Sequence, residues 1–233
     1  MRKKPVFENL MTGREAAALL AWLPVHVFLL PALITGYTLA SGNTLTPVFS
    51  RAVYFGLGLL VVVIFARGFL RRSFDVLLDN FGHCLTSIAM SFAAMLLLSQ
   101  VVAMVILAVD ENVFNSIELA SQAAGEGGAG FLILGAGAIP VVEETLFRGL
   151  IFGSMRKRSR LLAYLISALV FMIYSVWQLF FASAGLGQVA IIALSYLPEL
   201  ITLTWCYERT GCIWSPILLT ALVNFVVIAP SLG

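Results

Sequence analysis

The sequence predicts an all-α fold, a polytopic bundle of about seven transmembrane helices. Of the 233 residues, 61% are hydrophobic and only 11% are charged, and the mean hydropathy is +1.00. Soluble proteins are roughly half apolar, so this composition lies well outside their range. Several windows carry about 20 mostly uncharged residues, the length needed to cross the hydrocarbon core of a bilayer. Apolar and polar residues do not alternate as they would in the strands of an outer-membrane barrel, which argues against that fold.

Seven apolar stretches are the candidate spans. The first is too long for the core of a signal peptide and lacks a small-residue cleavage site, so we expect it to be retained. We expect one membrane domain, with N-terminal spans and an amphipathic segment over residues 1–128 and a core that carries the motifs over residues 129–230. The predicted spans are about 16–40, 50–70, 84–109, 129–152, 161–181, 187–206 and 212–230.

The basic residues predict the orientation in the membrane. Thirteen of the 14 Lys and Arg residues fall on one side of the seven spans, and Arg51 alone lies on the other. Because short loops rich in Lys and Arg stay in the cytoplasm, we expect a cytoplasmic N-terminus, an external C-terminus and a location in the cytoplasmic membrane of a bacterium. The residues on the basic side are Arg2, Lys3, Lys4, Arg14, Arg67, Arg71, Arg72, Arg148, Arg156, Lys157, Arg158, Arg160 and Arg209.

Two connections have features of their own. Residues 71–83 mix charged and apolar side chains at helical spacing, which predicts a short cytoplasmic helix lying on the lipid headgroups. Residues 125–130 are rich in glycine and predict a flexible external loop before the fourth span. The external connections also carry the acidic residues Asp110, Glu111, Glu118 and Glu126.

The adjacent Glu143 and Glu144 are the first candidates for function, because carboxylates at membrane depth are costly unless they are paired, solvated or protonated. Glu144 and Arg148 are four residues apart and share a helix face, so they can form an ion pair. Glu143 is rotated by about 100° from its neighbour and can face a cavity. A purely structural glutamate–arginine pair is the alternative. The spacing Gly149-x-x-x-Gly153 would permit close helix packing at the same level.

Several other kinds of intramembrane hydrolase are excluded by their missing signatures. The sequence has no His-Glu-x-x-His motif of a zinc protease and no Gly-x-Ser-x-Gly motif. No aspartate lies well inside a span. The three cysteines form no Cys-x-x-Cys pair, so neither a zinc cluster nor a disulfide framework is predicted.

The glutamate pair and two later segments resemble one family. Residues 143–148, Glu-Glu-Thr-Leu-Phe-Arg, resemble the first motif, EExxxR, of the CPBP family, the CAAX-processing and bacteriocin-processing intramembrane proteases also called ABI. Residues 167–175 look like its middle motif, and residues 207–224 are similar to its last one, with Arg-Thr-Gly, Trp and Pro in order. The resemblance covers roughly residues 129–228. It implies a helical endopeptidase in which the leading glutamate and a histidine activate water, with or without a metal, while a second histidine and an asparagine stabilise the oxyanion.

Both histidines of these motifs are replaced in this sequence. Ser175, four residues after Phe171, stands where the middle motif has histidine. Thr220, four residues before Asn224, stands where the last motif has histidine. Losing acid–base help costs about 10²–10⁴-fold in rate, and losing an oxyanion donor costs about 10²–10³-fold. Ordinary catalysis is therefore not expected. The site residues that the resemblance implies are Glu143, Glu144, Arg148 and Asn224, with Ser175 and Thr220 at the degenerate positions.

The packing that the resemblance implies would bring the motif residues together. We expect Glu143, Ser175, Thr220 and Asn224 to converge on a polar, metal-poor cavity open toward the cytoplasm. Gln178 lies one turn beyond Ser175 on nearly the same helix face.

Two further residues have more than one interpretation, and a third has one. Glu199, beside Pro198 in the sixth span, is a carboxylate satisfied by neighbouring helices or water, or it is a replacement acid or the partner of a bound cation. His26 is a core histidine or a compensating catalytic one. His83 is interpreted as a residue at the level of the headgroups.

The sequence thus leaves three functions open. The first is a catalytically degenerate CPBP protein that binds a membrane peptide or protein partner, as in bacteriocin self-immunity or the regulation of a membrane sensor. The second is an active endopeptidase that depends on Glu143 in an altered site, and the third is a small transporter or lipid-binding protein. No cofactor is expected, and zinc would bind only through Glu143 in the altered site. The expected partners are membrane lipid and the membrane peptide or protein. Nucleic acid is not expected to bind.

Overall fold

The chain folds as a series of apolar helices. The computed structural model describes residues 7–42, 45–117, 128–180 and 185–228, and within them it contains no strand. A short helical segment covers residues 111–117. The all-α fold of a multi-pass membrane protein is confirmed, and about seven spans is close to the number observed. In this part of the chain, six helices are long and apolar enough to span a membrane, and a shorter apolar helix, α7 (Trp214–Ile228), follows them. The six are α1 (Gly13–Ser41), α2 (Pro47–Asp79), α3 (Phe81–Val109), α4 (Ala129–Arg156), α5 (Arg160–Leu179) and α6 (Leu186–Thr210).

Local capping signals set several helix ends. α1 begins at a capping box, in which Thr12 accepts a hydrogen bond from the backbone of Glu15, and the Glu15 carboxylate accepts one from the backbone of Thr12. α2 begins after Thr46, whose hydroxyl accepts a backbone N–H three residues on. Pro47 follows in the first turn, where no N–H donor is needed. Gly211 ends α6 in the left-handed conformation, with φ of 65°.

Residues 71–79 continue α2, so the prediction of a separate surface helix there was wrong. No glycine or proline interrupts this segment. Its inner face is held against the start of α7: the Ser73 hydroxyl accepts the N–H of Ile213 at 2.7 Å, and Trp214 Nε1 donates to the Leu70 carbonyl at 2.9 Å. These tertiary contacts keep the segment in line with the helix, although its sequence is also amphipathic.

α4 is the central helix of the bundle. In its most apolar window 44% of the residues are buried, against 39% or less in the other five candidate spans. The fully buried Leu146 and Phe147 belong to the main core. A Cβ added at Gly149 would lie 3.0 Å from the ring of Phe69 on α2. The predicted close packing at this glycine is therefore confirmed.

Two helices change their winding just before a proline. The π-helical segment Val25–Leu29 in α1 precedes Pro31, and the segment Leu134–Ala138 in α4 precedes Pro140. Because proline donates no backbone hydrogen bond and its ring crowds the preceding turn, a wider turn relieves the conflict. A third such segment, Thr145–Phe152, follows the glutamate pair directly. Such segments occur frequently at functional sites.

Some sequence predictions concern residues outside the described ranges. Arg148, counted among the basic residues of one side, is fully buried within α4 and is not a loop residue. The residues of the charge and loop predictions that lie outside the described ranges are Arg2, Lys3, Lys4, Glu118, Gly125, Glu126 and Gly127. Residues 128–130 belong to the helical segment Gly128–Ile133 at the start of α4, so the loop prediction was wrong for them.

Candidate functional site

A cavity of about 640 Å³ lies among α1, α2, α4, α5, α6 and α7. The motif residues that were expected to converge do meet in its wall, although they come from three different helices. A carboxylate of α6 joins them. The polar residues from α4 to α7 that line the cavity are Glu143, Ser175, Gln178, Glu199, Thr220 and Asn224.

The cavity lies at the end of the helices opposite to the basic loops. Arg51 lines it from the first turns of α2, whereas Arg67 and Arg72 lie near the other end of that helix. Gln178 lines it from the end of α5, whose first residue is the basic Arg160. The predicted cytoplasmic opening is incompatible with the orientation that the basic residues predict. At most one of the two predictions can hold, because the lining residues come from the ends of the helices opposite to the basic loops.

Glu144 and Arg148 form the predicted ion pair, and both side chains are fully buried. Arg148 Nη1 lies 3.2 Å from Glu144 Oε1. The Thr220 hydroxyl donates to the same oxygen at 3.1 Å, and the guanidinium lies over the Phe171 ring, 4.6 Å from its centroid. Glu144 Oε2 and the Nε and Nη2 atoms of Arg148 have no hydrogen-bond partner among the described residues. The pair connects α4 with α5 and α7, which is the structural role proposed for it from the sequence.

Glu143 faces the cavity, as its rotation on the helix predicted. Its Oε1 accepts a hydrogen bond of 2.8 Å from the hydroxyl of Tyr174 on α5. The side chain of Tyr174 also interacts with that of Tyr54 on α2. Within the described chain, neither histidine forms a hydrogen bond with Glu143. Two tyrosines therefore lie beside Glu143.

Ser175 and Asn224 direct hydrogen bonds to backbone carbonyls. The Ser175 hydroxyl donates to the carbonyl of Phe171 in its own helix at 2.9 Å. Asn224 Nδ2 donates to the carbonyl of Gly135 at 2.8 Å, within the π-helical segment that precedes Pro140. The asparagine thus satisfies a carbonyl in the irregular turn of α4 and ties α7 to it.

His26 is a core residue that packs on the aromatic side chains of the site. It is fully buried, and its ring stacks on Tyr54 with a centroid distance of 4.2 Å. The centroid distance to Tyr174 is 6.4 Å. Neither ring nitrogen has a hydrogen-bond partner in the part of the chain that the structure describes. His83 lies far from the cavity, with one ring nitrogen 3.2 Å from a backbone carbonyl near the end of α6.

Glu199 follows an interruption of α6. The regular helix breaks at Tyr196, and Pro198 lies in the first turn of the second half. The Glu199 side chain lines the cavity, and no hydrogen bond or ion pair joins it to another described residue. It lies close enough to Glu143 for their charges to interact. Neighbouring helices therefore do not hydrogen-bond this carboxylate in the described structure, and the interpretations that remain are contact with water, a replacement acid and the partner of a bound cation.

Sequence reasoning missed the aromatic wall of the cavity. Tyr54, Phe171, Tyr174 and Tyr196 line it, and in the sequence they are ordinary members of apolar runs. Arg51 was interpreted only as a charge on the external side. Its guanidinium lies over the ring of Phe131, 4.6 Å from the centroid, and also lines the cavity.

The donors of the cavity do not suit zinc. Protein zinc sites combine thiolate, imidazole and carboxylate ligands in a tetrahedral arrangement. The cavity offers two carboxylates, hydroxyls and amides, without an imidazole or a thiol. Among the described residues, no group of three or more His, Cys, Asp and Glu side chains is arranged to hold a metal ion.

A comparison with known families places these motifs in context. Residues 126–226 match the family model described as type II CAAX prenyl endopeptidase Rce1-like. No curated protein and no solved structure matches the chain. The matched segment contains every motif position discussed above, from Glu143 to Asn224.

Proposed function

We propose that this chain, whose residues 126–226 belong to the Rce1-like CAAX endopeptidase (CPBP) family, is a catalytically degenerate intramembrane protease that binds a membrane peptide or protein partner without cleaving it. The observation that carries the proposal is the surroundings of Glu143. Its hydrogen-bond partner is the hydroxyl of Tyr174, and the two histidine positions of the family hold Ser175 and Thr220.

The chemistry of these groups supports binding more than catalysis. A general base that works near neutral pH needs a partner that exchanges protons in that range, and neither aliphatic hydroxyls nor phenols do so. The Ser175 hydroxyl is directed to its own helix, and the Thr220 hydroxyl is directed to Glu144. Neither hydroxyl is hydrogen-bonded to Glu143. Since the donor set does not fit zinc, no step of the proposal uses a metal.

The size and the lining of the cavity support a binding role. Its volume of about 640 Å³ falls within the range of about 300–1,000 Å³ typical of ligand sites. Aromatic and polar side chains both line it, as in sites that recognise a specific group. With a cytoplasmic N-terminus in a bacterial cytoplasmic membrane, the cavity faces the external side. A protein of self-immunity, which meets an incoming membrane peptide, would need its site there.

A cleavage assay separates this proposal from an active endopeptidase. The purified protein is incubated in detergent with a library of membrane peptides that includes prenylated C-terminal peptides, beside a Glu143→Gln variant. Glu111→Gln is the matched control, because it removes an exposed carboxylate outside the cavity. We expect no cleavage by any of the three proteins. Cleavage by the wild type and the control, but not by Glu143→Gln, would overturn the proposal in favour of an active altered site.

Restoring the histidines gives the complementary test. A variant that carries both Ser175→His and Thr220→His is assayed with the same library, after thermal unfolding has shown that it is folded. Cleavage that appears only in this variant and disappears again on Glu143→Gln would show that the missing imidazoles account for the inactivity. Binding is measured separately, by photocrosslinking of the same peptides to the wild type. Absence of any crosslinked peptide would contradict the binding role.

A further inference from the structure

The cavity holds more carboxylate charge than the described residues neutralise. Glu143 accepts a hydrogen bond from Tyr174, a neutral donor. The side chain of Glu199 has no hydrogen bond or ion pair to any described residue. Arg148 forms its ion pair with Glu144, and its charge also acts on Glu143 and Glu199, so two arginines, Arg51 and Arg148, face three carboxylates.

The guanidinium of Arg51 does not form an ion pair with either cavity carboxylate. It lies over the ring of Phe131 instead, 4.6 Å from the centroid. More than a third of this residue is exposed. The cavity therefore contains a cation at its edge and two carboxylates, Glu143 and Glu199, that are free to meet another one.

A third carboxylate, paired with Arg148, lies behind the wall. Glu144 is fully buried, and its Oε2 has no hydrogen-bond partner in the described chain. Its other oxygen is held by Thr220, which itself lines the cavity. This carboxylate lies close enough to Glu199 for their charges to interact. A ligand with positive charge is thus favoured at this wall over one with negative charge.

The aromatic side chains define the kind of cation. The rings of Tyr54, Phe171, Tyr174 and Tyr196 line the same cavity. The faces of aromatic rings attract ammonium and guanidinium groups, and they do so more strongly where water is excluded. A metal ion would instead need a closed set of oxygen or nitrogen ligands, which rings do not supply.

We propose that the cavity binds an organic cation, the ammonium or guanidinium group of a lysine or arginine side chain in a membrane peptide. Glu143 and Glu199 are its counter-charges, the tyrosines form the walls around its aliphatic stem, and the peptide enters from the end of the bundle opposite the basic loops. This inference rests on the proposed function, because it names the ligand class of the same site. A basic side chain inside a bilayer is unfavourable without a partner, so a cavity that supplies carboxylates selects peptides that carry one.

The direct test uses a small cation that does not require a peptide partner. The full-length protein is placed in phosphatidylcholine nanodiscs and titrated with n-octylammonium, with octanoate and with octanol, and binding is followed by calorimetry. We expect octylammonium to bind and the other two to bind at least about tenfold more weakly. Equal binding of the three compounds would show partitioning into lipid and overturn the inference.

Two substitutions locate the bound cation. Glu199→Gln and Glu143→Gln are each expected to weaken octylammonium binding by about tenfold or more, because each removes a poorly solvated counter-charge. The control Glu111→Gln, an exposed carboxylate that does not line the cavity, is expected to leave it unchanged. If Glu199→Gln and Glu143→Gln remain folded and bind as the wild type does, the inference fails.

Substitution of Arg51 is expected to change the affinity for octylammonium in the opposite direction. Arg51→Gln takes away a cation that lines the cavity and whose charge acts on Glu143. Octylammonium binding is therefore expected to strengthen by about two- to fivefold, the range of an exposed charge pair. Weaker binding in this variant would mean that the cavity recognises an anion beside Arg51, and the inference would be overturned.

A pair of peptides distinguishes this inference from the proposed function. One is a leucine-rich membrane peptide of about 20 residues with a single central lysine, and the other has glutamine in its place. Preference for lysine that is lost in Glu199→Gln supports both proposals. Binding of both peptides with equal affinity supports the proposed function and overturns the cation site. Binding of octylammonium without binding of either peptide supports the cation site and contradicts the proposed function.

Discussion

Replacing Arg148 by methionine tests the ion pair that joins three helices behind the cavity. The guanidinium is fully buried, lies 3.2 Å from Glu144 Oε1 and covers the ring of Phe171 at 4.6 Å. Methionine fills most of the volume but leaves the Glu144 carboxylate buried without a cation. Thr220 then remains as its hydrogen-bond donor.

The magnitude follows from three contributions. Removing one partner of a buried ion pair costs about 3–5 kcal/mol, and the lost cation–π contact adds about 1 kcal/mol. The change also removes the Nε and Nη2 donors of Arg148, which are buried without partners in the described chain, and such groups cost about 1–3 kcal/mol each. With about 1 kcal/mol for each of the two donors, the lower end of that range, we expect Arg148→Met to lower the free energy of unfolding by about 2–4 kcal/mol.

The measurement is an unfolding titration with SDS in mixed micelles, followed by the fluorescence of the four tryptophans. Arg160→Met is the control, because Arg160 also pairs with a glutamate but its side chain is 63% exposed, and exposed pairs contribute about 1 kcal/mol or less. The double variant Glu144→Gln with Arg148→Met is expected to be more stable than Arg148→Met alone, since replacing both buried charges is often neutral. Additive losses in the double variant would refute the assignment of a coupled buried pair.

Two smaller predictions use the same titration. Tyr174→Phe removes the hydrogen bond to Glu143 and is expected to lower the free energy of unfolding by about 1.5–3 kcal/mol, as for bonds to charged groups; an unchanged value would mean that the phenol does not hold the carboxylate. Gly149→Ala places a methyl group 3.0 Å from Phe69 and is expected to destabilise the protein by about 1–3 kcal/mol. Gly56→Ala, where a Cβ meets nothing within 4 Å, is expected to stabilise it by about 0.5–1 kcal/mol, and equal effects at the two glycines would contradict the observed packing.

The ion pair and the orientation of Glu143 were predictable because helix geometry fixes them locally. Residues four apart share a face, and adjacent residues are rotated by about 100°. Once the apolar run predicted a helix, its geometry placed Glu144 and Arg148 on one face and Glu143 on another. The helix ends were predictable to a similar degree, since each depends on a short apolar pattern and on capping residues such as Thr46 and Gly211.

The surroundings of the two glutamates could not be predicted in this way, because they depend on how distant helices pack. Tyr54 and Tyr174 are 120 positions apart in the sequence and meet because α2 and α5 both border α4. A tyrosine in an apolar run is compatible with a core, a lipid interface or a cavity wall, and the run itself does not distinguish them. The same reason explains the error over residues 71–79, where an amphipathic pattern fits a surface helix and a packed helix end equally well.

The two proposals for the cavity both depend on Ser175 and Thr220, the positions where the family resemblance leads one to expect histidine. Ser175 turns its hydroxyl back onto its own helix, and Thr220 reaches only as far as Glu144. At these two positions the cavity is therefore lined by short side chains, and an imidazole at either one would fill part of it. The variant with Ser175→His and Thr220→His is thus expected to bind octylammonium more weakly than the wild type, in the same calorimetric titration, whether or not it gains cleavage. Unchanged binding by the folded double variant would place the cation away from the histidine positions, and would separate the cation site from the ancestral catalytic centre.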